Sequence, residues 1–347
     1  MIRTRPGTLR PMRIPLLAVA TTLFLAAPLT LAGTLGIAAP ATAQTPPLPP
    51  APTPPQIPLL PPGAEPSPGS PAPNPPPPAP PGEPCRGAWI AGNPRPGPGL
   101  STTALGRAPA PYQVGRPAGR YRGRPPRGIM LLVHGGGWYI VGPGTLSTER
   151  AEAERWRRRG WLTVNLDYPA CGASLKGVLW FHDRVRAHYG RRLPLCASGA
   201  SAGGHLALML AALRPGVACV IARGAPTDLR TIDRSASASG SREGSEAVAA
   251  MARSAFGDWL GPMSPVAHAR ALRARLLLVT ARRDNVIPLS QATALRAAVR
   301  RVHPRATVAT RILAPGRIPW IHGPVSRAEL HRFYAAERTL VAPLTPR

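Results

Sequence analysis

Lysine is almost missing from this chain: Lys176 is the only one in 347 residues. Arginine makes up the rest of 43 basic residues, which face 15 acidic ones and leave a formal net charge of +28. Such a bias, in a chain also rich in Ala, Gly and Pro, reads as GC-rich coding and not as selection for phosphate contacts. The arginines are scattered along the sequence with no aromatic-interleaved basic stretch. Nucleic-acid binding is therefore not expected; weak contact with an anionic envelope surface is. Aromatic residues are 5% of the chain, and no row of them suggests a sugar-binding cleft. Aspartates number only six, which narrows the choice of any catalytic acid. The four cysteines have no spacing suited to zinc, and neither a metal nor a cofactor is expected. Cys196 and Cys219 lie in apolar strand patterns, where a buried free thiol is the expectation. Cys85 and Cys171 lie in loop-like stretches, where an exported chain is able to form a bridge.

What the chain does have is proline, 48 residues of it, unevenly spread. Residues 1–43 carry Arg3, Arg5, Arg10 and Arg13, an apolar run from Ile14 to Ala39, and then Ala41-Thr42-Ala43. That is the order of a secretory signal peptide cleaved after Ala43. The apolar run is long, so an uncleaved membrane anchor is the alternative. Met12 is an alternative start that gives a more usual signal length. Residues 44–84 are roughly half proline and read as an extended, solvated linker. At ~3.1 Å per residue it would span on the order of 100 Å. Residues 85–347 have the composition and length of one globular catalytic domain. An exported location is expected from this order, periplasmic or extracellular.

From residue 128 onward, short runs rich in Val, Ile and Leu alternate with helical patterns. Strands are expected at Gly128–His134, Leu162–Asp167, Leu193–Ser198, Ala218–Arg223, Arg275–Thr280 and Thr307–Leu313. None alternates cleanly, as expected of parallel strands buried on both faces. Helices are expected from about Ser147 to Arg159, Val178 to Tyr189, Gly204 to Leu213, near Ser290, and from Ser326, which forms a capping box with Glu329. The rhythm predicts an α/β fold with a doubly wound, mostly parallel sheet. One or two weak edge strands are expected within residues 112–124. Arg230 to Pro262 interrupts the alternation and reads as a short cap insertion over a fairly open pocket.

Two motifs carry the chemistry. Gly199-Ala200-Ser201-Ala202-Gly203 sits between a strand and a helix, the setting of a nucleophile elbow. His134-Gly135-Gly136-Gly137-Trp138 follows the first strong strand, and its glycines let backbone N–H groups turn inward. An acyl-transfer serine enzyme needs a nucleophile, a base, an acid to orient the base and an oxyanion hole. Ser201 is the candidate nucleophile. The N–H groups of Gly136, Gly137 and Ala202 are the candidate oxyanion hole. Asp284, in a loop after a strand, is the candidate acid, with Asp228 the runner-up and Asp167 structural. His322, after the last strand, is the candidate base. His134 reads as a loop brace, His205 as packing beneath the site, and His303 and His331 as surface residues.

These residues resemble those of the hormone-sensitive-lipase-like and related small carboxylesterase families of the α/β-hydrolase superfamily. The likeness rests on H-G-G-G-W at 134–138, G-A-S-A-G-G-H-L-A at 199–207 and R-D-N-V-I-P at 283–288. It covers about residues 128–335. The chain departs from the family at Tyr168-Pro169-Ala170, at Ala281 and at the Ile-Pro-Trp before the His322 loop. The resemblance implies an α/β-hydrolase fold and a Ser201–Asp284–His322 triad acting on a small-molecule or polymer-linked carboxylic ester. A peptidase or amidase of the same fold is the alternative, as is a catalytically silent envelope-binding protein.

Overall fold

The computed structural model describes Cys85 and residues 87–92, 98–233 and 242–344. The segments read as signal peptide and proline-rich linker lie outside the described residues, as does most of the small polar stretch that opens the cap.

Eight strands form the main sheet: β2 (Leu100–Ser101), β3 (Tyr112–Gly115), β4 (Ile129–Val133), β6 (Leu162–Leu166), β7 (Leu195–Ala200), β8 (Val217–Arg223), β9 (Arg275–Ala281) and β10 (Val308–Leu313). Two more, β1 (Ala88–Trp89) and β5 (Ile140–Val141), pair with each other in parallel. A short β11 (Pro315–Ile318) follows β10. The main sheet has the order β10-β9-β8-β7-β4-β6-β3-β2. It is parallel from β10 to β6, and β3 and β2 join antiparallel at the far edge. Within residues 112–124 only β3 forms; Gly119–Tyr121 is a single 3-10 turn.

Both faces of the sheet are covered, which is why its strands show no polar alternation. Ile129, Leu131 and Val133 of β4 face one apolar layer and Met130 and Leu132 the other. The first layer is built by α2 (Ser174–Tyr189), α3 (Ala202–Leu213) and α5 (Leu289–Val302). The second is built by α1 (Arg150–Arg157) and α6 (Arg327–Val341). The doubly wound α/β architecture is therefore as expected. Ser326 caps α6, its side chain accepting the Glu329 N–H at 3.2 Å. The cap insertion forms α4 (Arg242–Phe256), which packs Val248, Ala249 and Ala252 into the first layer.

Two expectations need correcting. Helix α2 begins at Ser174 and not at Val178, four residues earlier. Gly177 is the point where the helix rests on Pro169; a methyl there would collide with the proline ring. Cys196 and Cys219 are not free thiols. They sit opposite each other in β7 and β8, with Cα atoms 4.6 Å apart, and form a disulfide. Cys85 and Cys171 are also joined, across 86 residues of sequence. That bridge ties the segment before β1 to the turn after β6, and should stabilise the domain by about 2–4 kcal/mol.

Candidate functional site

The strand β7 ends at Ala200, and α3 begins at Ala202, so Ser201 must make the whole turn. It does so at φ 52° and ψ −123°, a left-handed conformation that costs a side-chain-bearing residue of order 1–3 kcal/mol. The surroundings hold it there. Its N–H donates to the Arg223 carbonyl at 2.8 Å, and its own carbonyl accepts from His205 N–H at 3.1 Å. Gly203 allows the first turn of α3 to press against the end of β4. A methyl at that position would overlap the carbonyl oxygens of Val133 and His134.

The glycine loop after β4 faces this turn. Gly136 and Gly137 have φ 115° and 59°, values that a residue with a side chain rarely adopts. Among the described residues, their N–H groups meet no protein acceptor. Ala202 is the first residue of α3, a position whose N–H has no partner within the helix. His134 braces the loop, as expected. Its Nε2 lies 2.8 Å from Asp167 Oδ1, and the Asp167 Oδ2 accepts the Gly142 N–H at 2.7 Å. Tyr168 stacks on the His134 ring at 4.4 Å and donates its hydroxyl to the His134 carbonyl. Burial pushes the Tyr168 phenol well above its ordinary pKa, so it remains a donor.

Asp284 and His322 come together. Asp284 is 2% exposed, and its Oδ1 accepts the N–H groups of Val286 and Ile287 at 3.0 and 2.8 Å. Its Oδ2 lies 3.1 Å from His322 Nδ1. One carboxylate oxygen thus fixes the loop and the other faces the imidazole. Asp228 makes no contact with His322; it bonds the Arg230 backbone and side chain. His303 bonds the Arg270 carbonyl, away from the site. His205 is fully buried behind the glycine loop. It accepts the Trp138 indole N–H on Nδ1 at 3.1 Å and donates from Nε2 to the Met263 carbonyl at 2.6 Å. Burial lowers its pKa to about 4, so the ring is neutral near pH 7.

Ser201, His322 and the glycine loop line one cavity of about 500 Å³. Val248 and Met251 of α4 supply apolar lining, together with Ile140, Val286 and Ile321. Sequence reasoning missed three contributors. Glu149 and Arg223 form a buried ion pair at 2.6 Å on the cavity wall. Burial pushes the Glu149 carboxyl upward against the pull of Arg223. The pair lies 74 residues apart in sequence, so no local pattern marks it. The third is Gly224, with φ 53°. A methyl there would stand 2.9 Å from His322 Nδ1 and 3.2 Å from Asp284 Oδ2. Its one sequence signal is that it directly follows a strand. No cluster of metal-binding side chains occurs among the described residues.

Comparison with known proteins agrees with this fold. A family model described as the prolyl oligopeptidase family matches residues 179–313, taking in Ser201 and Asp284 and ending before His322. A search of curated protein sequences gives no match. Among solved structures, Thermogutta terrifontis esterase 2 phosphonylated by sarin is similar, at 19% identity and TM-score 0.54. The match covers 72% of this chain and 98% of the esterase. The butyrate-bound form of that esterase matches at 18% identity and TM-score 0.53, over 72% of this chain and 97% of the other. A puromycin-hydrolyzing peptidase of Mycobacterium tuberculosis matches at 14% identity and TM-score 0.53. That match covers 68% of this chain but only 37% of the peptidase. The fold is that of the α/β-hydrolase superfamily.

Proposed function

We propose that this chain is a serine hydrolase that cleaves carboxylic esters through an acyl-enzyme. His322 takes the proton of Ser201, whose oxygen attacks the ester carbonyl. The resulting oxyanion is held by the N–H groups of Gly136, Gly137 and Ala202. His322 then gives its proton to the leaving alcohol, and water repeats the sequence to release the acid. Asp284 keeps the Nδ1 of His322 protonated, leaving Nε2 to serve the serine. The carrying observation is the His322–Asp284 hydrogen bond on the wall of the cavity into which the strained Ser201 turn opens.

Preference for esters over peptides rests on size and lining. The similar esterase is matched along nearly all its length, whereas the similar peptidase is matched along about a third. The apolar cavity fits a short acyl chain, in keeping with the butyrate-bound form of the esterase. Amide cleavage is the second reading, favoured by the prolyl oligopeptidase family match. The chemistry drawn here uses no cofactor, and an exported location remains part of the proposal.

The test is turnover of p-nitrophenyl acetate, butyrate and octanoate beside a matched p-nitroanilide, by the native chain and Ser201→Ala. Ester turnover falling with chain length, and lost by at least ~10³-fold in the variant, is expected. Faster anilide than ester turnover, still dependent on Ser201, would move the assignment to the peptidase reading.

A further inference from the structure

We propose that the edge of the sheet opposite the catalytic cavity is a docking surface for a bilayer of anionic phospholipids. The arginines that look scattered in the sequence are gathered there by topology. Six connections lead into the amino ends of the parallel strands. Residues 116–128 carry five arginines; 158–161, 190–194 and 269–274 carry two each; 214–216 and 303–307 carry one each. None of these six segments contains an Asp or a Glu. Ten of the thirteen arginines are exposed. At the other edge, the described connections 134–149, 167–173, 224–233, 282–288 and 314–326 carry four arginines and five acidic residues.

A bland explanation covers part of this. Helices α1, α2, α3, α5 and α6 all end at the arginine-bearing edge, where cations favour the helix dipole and the last carbonyls. Arg186 donates to the Gly190 and Leu193 carbonyls, and Arg300 to the Pro304 carbonyl. The 116–128 segment, however, closes no helix longer than one 3-10 turn. Arg116, Arg120, Arg122 and Arg124 are exposed there. They border two adjoining hollows of about 510 and 420 Å³. Arg157 joins the first, and Arg158, Arg159 and Arg338 the second. Arg157 and Arg158 are paired with Glu154 and Arg159 with Glu337, so the charge offered to a partner comes from the arginines of the 116–128 segment. Guanidinium groups at such density match phosphate oxygens, which they bind bidentately.

A bilayer suits the face better than a nucleic acid does. The arginines spread across the breadth of a sheet edge and trace no single groove. Tyr121, the one aromatic residue of the 116–128 segment, already packs against the guanidinium groups of Arg120 and Arg127. The Cys85–Cys171 bridge belongs to an oxidising compartment, where membrane surfaces are the abundant polyanions. Docked this way, the cavity faces away from the lipid, towards solutes.

The experiment uses the full chain with vesicles of neutral phosphatidylcholine alone or mixed with anionic phosphatidylglycerol, at 0.1 M salt. Arginines are modified with phenylglyoxal and located by mass spectrometry. Protection of Arg116, Arg120, Arg122 and Arg124 on anionic vesicles only, with Arg230, Arg253 and Arg317 modified equally throughout, is expected. The footprint is read whether or not the amino-terminal segment also inserts. Charge-matched variants give the second readout. Replacing Arg120, Arg122 and Arg124 by Gln should cut the anionic increment in binding on the order of a hundredfold, about fivefold per arginine. Replacing Arg230, Arg253 and Arg317 by Gln should leave most of it. Equal losses in the two triples, uniform labelling, or protection of the cavity edge would overturn the proposal. So would a tighter, equally face-specific complex with duplex DNA at the same salt, which would make this a nucleic-acid surface.

Discussion

At the carboxyl ends of β4, β6, β8, β9 and β10, the described connections are tightly bonded and close to charge balance. At the amino ends of the same strands they are arginine-rich, largely exposed and free of acids. The backbone at the first edge is held in costly conformations at three residues with side chains, Trp138, Cys171 and Ser201, at φ 66°, 62° and 52°. The second edge holds no such residue with a side chain among those described. Strain kept at one end of a sheet and absent from the other marks where geometry has to be held for a purpose. Charge accumulated at the unstrained end marks where contact is broad and geometry matters less.

The sharpest break in this comparison would come from the base. His322→Ala should lower kcat by at least ~10³-fold with KM little changed, because the proton transfer is lost and the cavity is not. Asp284→Asn should cost about 10²–10⁴-fold in kcat, with Asp228→Asn nearly neutral, both measured on p-nitrophenyl butyrate. A larger loss from Asp228→Asn would contradict the Asp284–His322 pairing. Gly224→Ala follows. Its methyl would crowd the His322–Asp284 bond, and a fall of about tenfold or more in kcat is expected in a protein that still folds.

Histidine 205 tests the packing behind the site. Its folded pKa lies near 4, below the ordinary value of 6.5, because burial disfavours the charged ring. The unfolded chain therefore binds more protons between pH 6.5 and 4. Stability from this group is present above pH 6.5 and is lost as the pH falls towards 4, by an amount of order 3 kcal/mol. Denaturant midpoints across that range should fall less steeply in His205→Gln than in the native chain. The smallest effect is expected at the far edge: the triple change of Arg120, Arg122 and Arg124 to Gln should alter kcat/KM for a soluble ester by less than about twofold. A large loss there would mean that the two edges are coupled.

Much of the catalytic edge was legible in the sequence because its chemistry is local. The glycines at 135–137 and around Ser201 are close in sequence to the turns that need them, and each buried strand is one apolar run. The order Ser201, Asp284, His322 along the chain also directed the choice of acid and base. The remainder depends on juxtapositions that no local pattern records. Gly224 matters because β8 ends beside the His322 loop. Glu149 meets Arg223 only after the α1 and β8 termini are brought to one wall. Cys196 meets Cys219 because β7 and β8 pair in that register. Strands β1 and β5 are two residues each, too short to show a period. The arginine edge was misread as scattered for the same reason: its members are neighbours in the fold and strangers in the sequence.

The central claim is that Ser201 is a nucleophile activated by its setting. Treating the full chain with a fluorophosphonate and mapping the adduct by mass spectrometry tests it directly. A single adduct on the peptide containing Ser201, absent from Ser201→Ala and strongly slowed in His322→Ala, is the predicted result. No adduct, or one on another residue with Ser201 unmodified, would contradict it.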